Sequence, residues 1–199
     1  MQKMFLFAAL AAAALLCSCA TTSVEVQRAD TGVLQKSAQD VDMSVRFLDE
    51  TVLKELHGET NNPFISPPSA LKMNRILVFE VTASSASAKP ENILLELGTM
   101  ELQFGRNPEE PVNRFHLSNF WERRIEKNDG YRGWNKARLN NVIKEYVLPN
   151  TAQAASGERI EGYIVFMGKF PTYGDATLYI PVFESENKML NNFRFQFTF

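Results

Sequence analysis

The chain closes on "NFRFQFTF", in which Phe193, Phe195, Phe197 and Phe199 alternate with Arg194, Gln196 and Thr198. Successive side chains of an extended strand point to opposite faces, so this period of two places all four rings on one side and the polar groups on the other. The same alternation recurs. "MSVRFLD" puts Met43, Val45 and Phe47 on one face, with Ser44 and Arg46 on the other. "RILVFEVTAS" sets Leu77, Phe79, Val81 and Ala83 against Ile76, Val78, Glu80 and Thr82. "NILLELGTMELQFG" alternates Ile93, Leu95 and Leu97, then Met100, Leu102 and Phe104, with Gly98 marking a bulge or turn between two strands. "RIEGYIVFMG" and "ATLYIPVFE" follow. Short period-two segments separated by turn residues predict antiparallel sheet with one dry face. The nine residues Leu77, Phe79, Leu95, Leu102, Ile164, Phe166, Leu178, Phe195 and Phe197 are the expected core between two such sheets.

The middle of the chain follows a different period. In "FHLSNFWERRIEKNDG", Ser118 or Asn119 is placed to cap a short helix carrying Phe120, Trp121, Arg124 and Ile125, and Asn128-Asp129-Gly130 is placed to end it. In "NKARLNNVIKEYVLP", Leu139, Val142, Ile143 and Tyr146 lie at helical spacing before Pro149. One further helical turn is expected near Val52 to Leu56. The predicted class is mainly β: an antiparallel β-sandwich with a short helical insertion at about residues 112–148.

The N-terminus carries a different kind of signal. Met1-Gln2-Lys3 is a short basic leader, Met4 to Leu16 is an apolar run too short for the ~20 residues of a bilayer-spanning helix, and Cys17 and Cys19 follow at its end. These are the chain's two cysteines. A thiolate metal site needs about four ligands at set spacing, and only the isolated His57 and His116 add to the pair. A disulfide between residues two apart is badly strained. Leu16-Cys17-Ser18-Cys19 instead resembles a bacterial lipobox, with an apolar residue three before Cys19 and small residues directly before it. The resemblance implies lipid on the Cys19 sulfur, cleavage after Ser18 and acylation of the new amino group. Cys17 is a departure, since Ala, Ser or Thr is commoner there. Ala20 rather than Asp after the cysteine implies, by the sorting rule of one bacterial group, the outer membrane. The alternatives are an ordinary signal peptide cut at the Ala-rich end and a buried N-terminal helix.

This divides the chain into a signal peptide at 1–18, a lipid-anchored tether at 19–40 and one domain at 41–199. "ATTSVEVQRADTGVLQKSAQD" is polar and without clear periodicity, as a tether requires. About 180 residues remain after cleavage, the size of one domain, and 45% hydrophobic residues with 15 Phe supply its core. Loss of Lys3 takes the formal net charge from −2 to −3. That balance, without clustered Lys and Arg, argues against a nucleic-acid partner.

"SGERIEGYIVFMG" (Ser156 to Gly168) followed by "TLYIPVFE" is similar to the Gly-x-x-x-x-Gly-x-hydrophobic-x-Phe signature of immunoglobulin-like domains in bacterial secreted lipoproteins, with Gly157 and Gly162 before a core strand. Asn62-Pro63-Phe64 looks like the same group. The resemblance covers Asn62 to Phe199 and departs in the length between Phe104 and Ile160. It implies an immunoglobulin-like sandwich of seven to nine strands and carries no catalytic residues over.

Chemistry-bearing patterns are sparse. No Gly-x-Ser-x-Gly, His-Glu-x-x-His, Gly-rich phosphate loop or dinucleotide fingerprint occurs. An EF-hand ending at Asp129-Gly130 would need acids where Lys127 and Ile125 stand. No cofactor, metal site or catalytic residue is expected. "NDGYRGW" offers Tyr131, Arg132 and Trp134 on a loop as candidate ligand-binding residues for a peptide or a sugar face; alternatively the two rings fold back over the gap between the helices. The expected function is a non-catalytic, membrane-anchored binding or assembly module of the bacterial envelope. Its partners would be the membrane, through the N-terminal lipid, and an envelope protein or saccharide. An envelope hydrolase is the first alternative and would need two carboxylates about 5–10 Å apart in one cleft. A carrier of a small apolar ligand is the second and needs an internal cavity.

Overall fold

A computed structural model describes residues 27–28, 32–67, 75–85, 87, 90–127 and 130–199. Residues 1–18, read as a signal peptide, lie outside the described residues, as do Cys19, Asn128, Asp129 and half of the stretch read as a tether. Of the described residues, 47% are strand and 23% helix. In order come β1 (Gln27–Arg28), β2 (Leu34–Ala38), β3 (Val41–Leu48), α1 (Glu50–His57), β4 (Arg75–Ser85) and β5 (Asn92–Glu96). A 3₁₀ turn (Leu97–Thr99) leads to β6 (Glu101–Phe104), β7 (Asn107–Glu109), α2 (Arg114–Lys127) and α3 (Lys136–Tyr146). β8 (Thr151–Ala155), β9 (Arg159–Gly168), β10 (Asp175–Ser185) and β11 (Lys188–Thr198) complete the chain.

The described strands form two sheets. One has the order β2-β3-β4-β9, antiparallel throughout. The other runs β1-β11-β10-β5-β8, with β6 also on β10 and β7 on β6; its β1–β11 pairing is parallel. The two sheets share one core. Val41, Met43, Val45, Leu77, Phe79, Val81, Ile164 and Phe166 from the four-stranded sheet meet Leu95, Leu102, Leu178, Ile180, Phe193, Phe195 and Phe197 from the other. All nine residues expected in the core are at most 2% exposed. The terminal Phe strand sits where its alternation placed it, with the Phe79 and Phe197 rings 5.0 Å apart. Gly98 stands in the 3₁₀ turn that separates β5 from β6.

Three local expectations are corrected. Strand structure extends into the stretch read as tether, because β2 pairs with β3 from Leu34↔Val45 to Ala38↔Val41. The two-residue loop joining them, Gln39-Asp40, has φ of 51° and 60°. A hairpin turn of this kind fits the twist of the flanking strands, yet Gln-Asp lacks the Asn-Gly signature by which such turns are read. Second, α2 starts at Arg114, ahead of Ser118 and Asn119. Its cap is Asn113, whose Oδ1 accepts from the His116 backbone N–H at 2.9 Å. Third, the turn near Val52 is the eight-residue helix α1, capped by Asp49 Oδ1 accepting from Val52 N–H at 2.9 Å.

The helices form a third layer on the outer face of the four-stranded sheet. Leu48, Ile76, Val78, Tyr163 and Val165 of β3, β4 and β9 pack there with Leu53 of α1, Leu117 and Trp121 of α2, and Leu139 and Ile143 of α3. Ile76 and Val78, read as lying opposite the core face, are therefore buried as well. That explains the unbroken apolar run Ile76–Phe79, which suits a strand dry on both sides. Trp121 donates its indole N–H to the Pro63 carbonyl at 2.9 Å, which satisfies the polar atom of a fully buried ring.

Candidate functional site

The register of the four-stranded sheet sorts its outer face into rows. Directly opposed residues share a face, so Ser37, Asp42, Ser84 and Arg159 form one row, and Gln35, Ser44, Thr82 and Glu161 the next. Arg46, Glu80 and Tyr163 form the third row, and Leu48, Val78 and Val165 the fourth. The helical layer covers the fourth row and reaches Tyr163 of the third. Over β2, β3 and β4 the first two rows stay open among the described residues. They form a groove of about 390 Å³ lined by Gln35, Ser37, Asp42, Ser44, Thr82 and Ser84, with Lys36 and Met43 of the inner rows also contributing.

The hydroxyls in this groove are held but largely unspent. Ser37 donates to Asp42 Oδ1. Ser44, Thr82 and Ser84 are half-buried. Among the described residues their hydroxyls and the Gln35 amide have no hydrogen-bond partner within the protein. The charges at the margin cancel locally. Arg159 pairs with Glu161 at 3.0 Å, and Arg46 stands directly opposite Glu80 in the register. Lys36 belongs to the inner row, opposite Met43. Its ammonium reaches round the sheet edge to the Arg194 carbonyl and lies 5.5 Å from the Phe195 ring centroid, closing the sandwich between β2 and β11.

At the helical end of the same face stands an aromatic cluster. His57, last residue of α1, contacts Phe64, Tyr146 and Tyr163 at ring separations of 5.0, 4.5 and 5.7 Å, and its Nε2 lies 3.2 Å from the Tyr163 hydroxyl. Tyr146 and Tyr163 stack at 5.5 Å. Burial pushes the Tyr163 phenol up to about 12, with Glu80 and Tyr146 adding and Arg46 opposing. Burial also lowers the His57 imidazole, against the opposing pull of Glu145. Asn62 holds the approach to this cluster, its amide donating to the Leu53 and Gly58 carbonyls at 2.8 Å each.

The candidates read from the loop lie elsewhere, in the helical layer. Tyr131 is 7% exposed and packs edge-on to Trp121 at 5.2 Å, while Trp134 is half-buried and stacks on Trp121 at 5.1 Å. The structure thus joins Tyr131 and Trp134 with Trp121 in one packed cluster and leaves Arg132 exposed. His116 is exposed at the start of α2. Among the described residues, no three His, Cys, Asp or Glu side chains are grouped so as to hold a metal ion, and no helix is long and apolar enough to cross a membrane.

The open groove escaped the sequence reading. The only available signal was negative: "LQKSA", "DMS" and "TASS" put short polar side chains on the outward positions of three strands, and only the pairing aligns them. The chain matches no known protein family and no curated protein.

Proposed function

We propose that this chain is a non-catalytic binding module of the bacterial cell envelope. It is tethered to the membrane by lipid on Cys19 and engages its partner through the open half of the four-stranded sheet's outer face. The observation that carries the reading is that groove. Helices cover one half of the face, while the other half presents half-buried hydroxyls that have no partner among the described residues. Each hydroxyl can both donate and accept, so an aligned row of them that the fold does not use is available to a ligand. The anchor rests on the lipobox resemblance of Leu16 to Cys19. Two or three acyl chains give stable anchoring where one gives only marginal binding. Ala20 after the cysteine favours the outer membrane. An immunoglobulin-like arrangement of the two sheets belongs to the same reading and draws on the shared core and the antiparallel order of the strands.

Mass spectrometry of the mature N-terminus tests the anchor. The expected product begins at Cys19 and carries diacylglycerol on its sulfur, and Cys19→Ala is expected to accumulate as unprocessed precursor. A mature chain starting elsewhere, or an unmodified Cys19, removes the membrane-anchored part of the reading. A photo-crosslinking residue at position 44 in membranes tests the groove. Cross-linking to an envelope component is expected from position 44, and none from the exposed position 153 on β8.

A further inference from the structure

We infer that the groove takes an uncharged, polyhydroxylated chain: a saccharide laid across β2, β3 and β4. This rests on the reading of the groove as the binding surface and names the class of its ligand. The inference comes from what the open rows offer and what they lack. They offer hydroxyls at Ser37, Ser44, Thr82 and Ser84, an amide at Gln35 and a carboxylate at Asp42. A hydroxyl both donates and accepts, an amide does both through separate atoms, and a carboxylate accepts only. Sugar hydroxyls pair with every member of that set. With rows about 7 Å apart and strands about 5 Å apart, the floor has the footprint of sugar rings.

Other occupants fit less well. An anionic ligand such as a phosphate needs a free cation. Arg159 is paired with Glu161, Arg46 of the next row faces Glu80, and Lys36, which contributes to the groove lining, spends its ammonium on the Arg194 carbonyl. An apolar ligand would strip water from the Ser44, Thr82 and Ser84 hydroxyls and leave them unpaired. A protein partner binds through desolvated aromatic, Met or Arg anchors, and interface centres are depleted in Ser and Asp. The outward positions of the two open rows over β2, β3 and β4 carry no aromatic or aliphatic anchor.

Co-sedimentation of the full-length chain, in detergent micelles, with insoluble chitin, insoluble cellulose and protein-free murein sacculi tests the inference. Soluble chitohexaose and cellohexaose serve as competitors. Binding to at least one of these polymers is expected, with release by the matching hexasaccharide. Thr82→Arg fills the groove and is expected to weaken binding at least tenfold. The milder pair Ser44→Ala with Thr82→Val removes two hydroxyls while keeping strand-compatible residues, and is expected to weaken it similarly with an unchanged circular dichroism spectrum. Gln153→Arg, on the other sheet, is expected to bind as the parent does. Failure of every polymer to bind, or undiminished binding by the folded double variant, overturns the saccharide assignment. If the polymers fail while position 44 still cross-links to one envelope protein, the ligand class is wrong and the binding-module reading stands. If both fail, both are wrong.

Discussion

At the scale of single residues, two positions are constrained by neighbours far away in sequence. Gly162 lies on β9 where the chain after α3 passes its edge. A Cβ built there would meet Leu148 Cδ2 at 2.7 Å and the Tyr146 carbonyl at 3.0 Å. The glycine therefore serves close approach, and the signature that drew attention to it in the sequence acquires a mechanical reason. Gly162→Ala is expected to destabilise by about 1–3 kcal/mol, the usual range for overpacking, measured by urea unfolding; Leu148→Ala in the same chain should recover part of the loss. His57 is the second position. Burial holds its folded-state pKa below the ordinary 6.5, so below about pH 6.5 the unfolded chain binds the proton that the folded chain resists. Stability is expected to fall as pH drops through that value and to level off once the folded imidazole is itself protonated. His57→Gln should flatten this part of the profile, and a profile that His57→Gln leaves unchanged would remove His57 from the account.

At the scale of elements, β4 and β9 are the structural hinge between layers, because each is dry on both faces over part of its length. Leu77, Phe79 and Phe166 serve the sandwich core, while Ile76, Val78 and Val165 serve the helical layer. The outer edge of β9 is also occupied: Leu148 N–H donates to the Tyr163 carbonyl at 2.9 Å and Val112 N–H to the Val165 carbonyl at 2.8 Å. That protects an edge that would otherwise be open to pairing. The second half of β11 is legible from its alternation, and Phe195 is fully buried. Phe195→Ala is expected to cost about 3–5 kcal/mol, a large share of the stability of a domain this size. A urea-unfolding change below about 1 kcal/mol would show that the Phe face is not core. The β2–β3 hairpin carries the opposite opportunity. With Gln39 and Asp40 both at positive φ, Asp40→Gly should stabilise by about 1 kcal/mol through relief of the left-handed conformation.

At the scale of the whole molecule, the two apolar clusters share β4 and β9, so neither layer has a private scaffold. The sheets and the helical layer are expected to unfold together. Fluorescence of the buried Trp121, reporting on the helical layer, and far-ultraviolet circular dichroism, reporting on helices and sheets together, should give one coincident urea transition. Two separated transitions would mean that the helices are a dispensable cover. The same asymmetry creates the candidate site. Helices wide enough to cover only half of the outer sheet face leave the other half as a polar floor, with the His57–Tyr163 cluster at its border.

Read alone, the sequence determined the mainly β class, the faces of the alternating strands and the two central helices. Each depends on residues close together along the chain: a period of two or a period of 3.6. It also placed Tyr131 and Trp134 beside the helices, where their rings pack on Trp121. The tertiary structure alone decided which strands are dry on both sides, because that depends on what lies over a face. It brought His57 to Tyr163 across 106 positions of sequence. It also aligned Gln35, Ser44 and Thr82 in one row, since strand register, unlike periodicity, is settled by partners that no local pattern names.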